Sequence, residues 1–147
     1  MKNRHLLIFS AAFLVILIDQ ISKFAIRNSM HLSQSIPVVK NIFYITYLQN
    51  LGAGFGILQQ QRLLLILVSA AVVCIILFYS KKIGKKDRLL QVISGIVLGG
   101  TIGNLIDRII YGYVIDFLDF MIWPVFNIAD SAVTIGIILL IVYYWKK

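Results

Sequence analysis

Glutamate is missing altogether: all six acidic residues of this 147-residue chain are aspartates. A metalloprotease helix of the HExxH type, which needs a glutamate base between its two histidines, is therefore excluded. Histidine is nearly absent too, with His5 and His31 set on opposite sides of the first long apolar stretch, so a histidine metal site is not expected. The single cysteine, Cys74, excludes a disulfide framework and a thiolate metal site within one chain, and its place in the middle of an apolar stretch suggests packing. Proline occurs only twice and charge is sparse, at 14% of residues.

What fills the chain is apolar. Hydrophobic residues make up 60% of it and the mean hydropathy is +0.91, outside the range of soluble globular proteins. Four apolar stretches, 6–25, 62–80, 89–108 and 126–145, each approach the roughly 20 residues a spanning helix needs. The expected fold is an all-α membrane protein of one domain, 1–147, with four transmembrane helices and a small β-rich segment outside the membrane.

The formal net charge of +8 would suit nucleic acid, yet nine of the fourteen cations fall in three clusters between apolar stretches. These are Lys2 and Arg4, then Lys81, Lys82, Lys85, Lys86 and Arg88, then Lys146 and Lys147. The positive-inside rule puts all three on the cytoplasmic face, with both termini inside and anionic lipid headgroups rather than nucleic acid as partner. The segments 26–61 and 109–125 then face outward. No small-residue cleavage site follows the first stretch, where "IDQISKFAIRNS" stands, so it reads as a retained helix and not a removed signal.

In the first outer segment, β-branched and aromatic residues of 36–47 flank Lys40-Asn41 and predict a hairpin or small sheet. The "GAGFG" that follows lacks the glycine spacing and the βαβ setting of a dinucleotide site. Gly95, Gly99 and Gly103 recur every four residues and predict a stripe of close helix packing.

Function is sought in the polar residues at membrane depth. Asp87 belongs to the basic inner loop as a solvated ion pair. Asp19 and Lys23 stand four apart on one helix face, as a structural ion pair or as part of a site. Asn104, Asp107 and Arg108 share a face at the outer end of the third stretch, where the arginine either snorkels to headgroups or helps fix a site. Asp116 lies in an apolar setting just beyond. Asp130 falls about one turn into the last helix, with Pro124 near that helix's start and Asn127 on the same face as Asp130. Asp116 and Asp130 are expected at similar depth. Two carboxylates meeting where the dielectric is low share one proton, giving an acid and a base from identical residues without a metal or other cofactor. Neighbouring residues on a helix diverge by about 100°, which argues against a Ser22-Lys23 dyad and against Ser131 acting with Asp130.

Taken in order, "DQISK" (19–23), "NLGAGF" (50–55), "GGTIGNLIDR" (99–108), "VIDF" (114–117) and "FNIAD" (126–130) closely resemble the motif series of signal peptidase II, the bacterial lipoprotein signal peptidases. The resemblance implies an aspartic endopeptidase of the bacterial inner membrane with Asp116 and Asp130 as its catalytic pair. It further implies supporting or substrate-contacting roles for Asp19, Lys23, Asn50, Gly52, Asn104, Asp107, Arg108, Asn127 and Ala129. The substrate it implies is a prolipoprotein whose diacylglyceryl-modified Cys lies just after the cut, reaching a monomeric enzyme from the lipid. A sheet at the membrane surface, cradling that substrate, is implied as well. Asp119 has no part in it and is expected to be a solvated loop residue. The competing class is a small four-helix dimeric exporter using a membrane-embedded Asp, which would need an accessible site at mid-membrane; a non-catalytic scaffold would leave the polar residues unexplained.

Overall fold

A computed structural model gives the fold and describes residues 5–53, 57–84 and 86–146. Lys2, Arg4, Lys85 and Lys147 of the basic clusters, and Gly54 and Phe55 of the glycine-rich motif, lie outside the described residues.

The elements run α1 (Leu6–Ser29), β1 (Ser35–Val39), β2 (Phe43–Asn50), α2 (Arg62–Ser80), α3 (Arg88–Ile110), β3 (Val114–Asp119) and α4 (Ile128–Trp145). All four helices are long and apolar enough to cross a membrane. They alternate in direction, so the three strands gather at one end of the bundle and Lys81, Lys82, Lys86, Arg88 and Lys146 at the other. Two expected boundaries move. α1 continues to Ser29, four residues past the expected end. α4 begins after an Asn127 cap rather than near Pro124, because the Asn127 side chain accepts the Asp130 amide and the Asp130 carboxylate accepts the Asn127 amide.

α3 is the centre. Of its most apolar window 67% is buried, against 22%, 11% and 17% for α1, α2 and α4, and it packs on all three. Small residues permit this. A Cβ on Gly99 would sit 2.7 Å from the Ala12 carbonyl oxygen of α1, and one on Gly100 would sit 2.5 Å from the Ala129 carbonyl oxygen of α4. The expected glycine stripe is thus a packing seam, with Gly103 turned toward Asp19. Cys74 does not pack: it is exposed on α2, the helix whose apolar window is the least buried of the four.

The sheet is antiparallel, in the order β1-β2-β3. β1 and β2 form the expected hairpin, turning at Asn41 with φ 64°. β2 pairs with β3 so that Leu48 lies opposite Asp116 and Asn50 opposite Val114. Beneath the sheet, Met30, Tyr47, Ile115 and Phe117 form a small core. Val114 through Phe117 are all buried, which explains the apolar neighbours of Asp116: it lies in a covered strand and not in a loop. Asp119 is likewise no free loop residue. It ends β3 and accepts a hydrogen bond from Thr46 Oγ1 at 2.7 Å and one from the Met121 amide at 2.9 Å.

Candidate active site

α2 and α4 both lean on α3, and a cavity of about 760 Å³ opens over the face of α3 between them. Its membrane-depth walls are Ser69, Thr101, Val133 and Thr134. Its sheet end is closed by Asp116, Asp130, Asn50, Asn104 and Arg108, beside an apolar rim of Phe120 and residues 122–126.

Both aspartates reach this cavity from rigid backbone. Strand pairing fixes Asp116, and the first turn of α4 fixes Asp130. Asn127 links them: its side-chain NH2 donates to Asp116 Oδ1 at 2.7 Å while its backbone amide donates to Asp130 Oδ2 at 3.3 Å. The second oxygen of Asp116 accepts from Asn50 Nδ2 at 2.9 Å, and Oδ1 of Asp130 from Asn104 Nδ2 at 2.7 Å. Amides from three separate elements therefore hold the pair. Asp116 is 2% exposed. Its burial, reinforced by the nearby charge of Asp130, pushes its pKa up from 3.8 to about 7, against the opposing pull of the Asn50 and Asn127 hydrogen bonds.

Behind the pair lies a buried ionic cluster. Lys23 Nζ stands 2.9 Å from Asp19 Oδ2, 2.9 Å from Asp107 Oδ2 and 2.9 Å from Asn104 Oδ1. Asp19 also accepts the amide of Ala129, whose side chain is wholly buried against α3, and Asp107 accepts the amide of Ile115. Asp19 thus pins α1 to α4 and Asp107 pins α3 to β3, with Lys23 joining the two. The Asp19–Lys23 ion pair expected from spacing is present, with Asp107 as an unforeseen third member. Arg108 does not snorkel freely: its Nη2 donates to the Gly52 carbonyl at 3.1 Å, and Asn50 Oδ1 accepts the Gly52 amide at 2.9 Å. The turn after β2 is tied to the site from both sides.

Sequence reasoning missed Gln20. Its NH2 reaches Asp19 Oδ2, Asp107 Oδ1 and the Gly103 carbonyl, at 3.1, 3.0 and 3.2 Å. The signal was there, since Gln20 and Lys23 are three apart on one face of an apolar helix. The rim of Phe120 and residues 122–126, and the capping role of Arg62, which donates to the carbonyls of Arg108 and Ile109, left no such trace. Among the described residues, no group of three or more His, Cys, Asp and Glu could hold a metal ion.

Residues 11–146 match the signal peptidase (SPase) II family. The chain belongs to that family. Over 141 residues it is 45% identical to the lipoprotein signal peptidase of Halothermothrix orenii, an alignment covering 96% of this chain and 97% of the relative. Two solved bacterial membrane enzymes share the fold. One superposes with a TM-score of 0.90 at 32% identity, over 95% of this chain and 87% of the other; the second gives 0.86 at 31%, over 95% and 93%. The protein is thus a membrane peptidase of the signal peptidase II family, as its motif series implies. Asp19, Lys23, Asn50, Asn104, Asp107, Arg108, Asp116, Asn127 and Asp130 of those motifs gather at the sheet end of the bundle.

Proposed function

We propose that this chain removes the signal peptide from diacylglyceryl-modified prolipoproteins, cutting on the amino side of the lipidated Cys, with Asp116 and Asp130 as its catalytic pair. The observation that carries the assignment is the position of these two carboxylates, joined through Asn127 at the end of a cavity that opens between α2 and α4. One carboxyl keeps a proton while the other is ionised, so the ionised member takes a proton from water as the water attacks the scissile carbonyl. The protonated member donates its proton to the carbonyl oxygen; as the resulting gem-diol collapses it takes a proton back from the hydroxyl, while the proton taken from water passes from the other carboxyl to the leaving amine. The polypeptide supplies every group that moves a proton.

The substrate's signal helix and acyl chains enter sideways from the lipid, along walls that are mostly apolar. The sheet end faces outward and the basic end the cytoplasm, with both termini inside, in the inner membrane of a bacterium. Each chain acts alone, since one chain contains the whole amide and carboxylate set.

Cleavage of a diacylglyceryl-modified precursor by purified protein in detergent tests this, with the unlipidated precursor as control. Wild type cuts before the lipidated Cys, and Asp116→Asn and Asp130→Asn, checked for folding, do not. Normal cutting by either variant removes that residue from the mechanism; no cutting by wild type removes the function.

A further inference from the structure

Lys23 has three hydrogens and no acceptor, and all three are committed: to Asp19, to Asp107 and to the oxygen of the Asn104 side chain. The third bond sets the orientation of Asn104. An ammonium on one side of an amide fixes which end is oxygen, so Asn104 must turn its NH2 the other way. That NH2 lies 2.7 Å from Asp130 Oδ1. The orientation is doubly enforced, because Asn127 Nδ2 also donates to Asn104 Oδ1, at 3.1 Å.

We infer that Lys23 is a positioning residue that acts through Asn104 to hold Asp130 as the ionised member of the pair, making Asp130 the base and Asp116 the acid. The inference rests on the proposed pairing of Asp116 with Asp130. Two further features favour an anion at Asp130. It sits in the first turn of α4, where the helix dipole favours negative charge, and its own second oxygen accepts the Asn127 amide at 3.3 Å. Asp116 has a different setting. It is buried in strand β3, outside any helix turn, and accepts from the side-chain amides of Asn50 and Asn127. The charged groups that bear on Asp130 are Lys23 of α1, Arg108 of α3 and Asp116 of β3, with Asp19 of α1 and Asp107 of α3 behind them on Lys23. Lys23 therefore acts on Asp130 in two separable ways, through space as a charge and through Asn104 as an orienter.

Infrared titration of the carboxylic C=O stretch in the substrate-free protein separates them and needs no peptidase activity. Bands are assigned by their loss in Asp116→Asn and Asp130→Asn. In wild type at mildly acidic pH, the protonated band is the one lost in Asp116→Asn. Asn104→Leu keeps Lys23 and its charge but removes the oriented donor. It should raise the Asp130 midpoint by about one pH unit or more, the loss expected for one hydrogen bond to a charged group. Lys23→Met would strand two buried carboxylates, so it is made together with Asp19→Asn; it should move the Asp130 midpoint in the same direction, and adding Asn104→Leu should move it little further. A purely structural Lys23 would lower stability and leave the midpoint where it was. The inference is overturned if Asp130 carries the proton in wild type. It is overturned equally if Asn104→Leu leaves the midpoint unmoved while the Lys23 variant shifts it, since Lys23 would then act by charge alone.

Discussion

Replacing Asp116 by Asn should change the sign of its effect on stability with pH. A carboxyl whose pKa rises from 3.8 to about 7 on folding has its ionised form disfavoured by about 4 kcal/mol in the native state. Because the folded value is raised, the stabilising contribution of the neutral acid is complete below about pH 4 and is lost as pH climbs through 7. Asparagine has no charge to lose, so the variant escapes that penalty. It does not escape another. Asp116 accepts from Asn50 on one oxygen and from Asn127 on the other, while an asparagine offers only one oxygen. One buried donor is left facing an NH2, at a cost of ~1–3 kcal/mol.

Near pH 4, Asp116→Asn should therefore be the less stable protein by roughly 1–3 kcal/mol, and near pH 8.5 the more stable by a similar margin. Thermal or denaturant unfolding in one detergent, followed across that range for both proteins, reads the crossing directly. Repeating the pair on an Asp130→Asn background should shrink the alkaline gain, since the charge of Asp130 is the second cause of the raised pKa. A stability difference between wild type and Asp116→Asn that stays constant with pH would refute the claim that burial keeps a proton on Asp116.

Cleavage rate should decline as pH rises beyond about 7 and the proton on Asp116 is lost, and a pH–rate profile that keeps climbing through the alkaline range would contradict a shared proton. Gly99→Ala puts a Cβ 2.7 Å from the Ala12 carbonyl oxygen and should cost about 1–3 kcal/mol of stability, whereas Gly84→Ala, with open space around it, should cost little; unfolding midpoints of the two compare them. Lys23→Met strands two buried carboxylates and should cost about 3–5 kcal/mol, and adding Asp19→Asn should recover only part because Asp107 still lacks its cation, a comparison for denaturant unfolding. Arg108→Met releases the Gly52 carbonyl and should reduce cleavage at least tenfold with a smaller change in unfolding midpoint, measured on the same lipidated precursor.

Four helices were legible because four apolar stretches stand between basic clusters, and runs that long and that apolar are suited to the interior of a bilayer. The hairpin was legible from β-branched and aromatic residues on either side of Lys40-Asn41. Helix ends were less so. Residues 26–29 look like the start of a polar loop, yet they remain helical and deliver Ile26 and Met30 to the core beneath the sheet. Pro124 looks like a helix start, yet the Asn127–Asp130 capping box decides the matter three residues later. Cys74 shows the limit of hydropathy: in a bilayer an apolar residue facing lipid and one facing protein look alike in sequence. The site residues were legible as types and motifs. Their connections were not, since the link from Lys23 through Asn104 to Asp130 joins three helices whose mutual rotation no single stretch records.

The placement of the cations suits the chemistry proposed for the pair. A lysine or arginine in contact with both aspartates would favour ionisation of both, and no acid would remain to donate to the carbonyl oxygen. The protein has Lys23 and Arg108 close by and turns each of them elsewhere. Lys23 directs its hydrogens to Asp19, Asp107 and Asn104, while the Nη2 of Arg108 holds the Gly52 carbonyl. What touches the two carboxylates directly is a set of amides from Asn50, Asn104 and Asn127. An amide can donate to a carboxylate and orient it without the full charge that would strip its partner's proton. The short side chains fit the same requirement: with one methylene fewer than glutamate, each aspartate has less freedom to swing away from amides presented by a strand and a helix cap. Lys23 of the buried ionic cluster then orients the Asn104 amide, which holds Asp130.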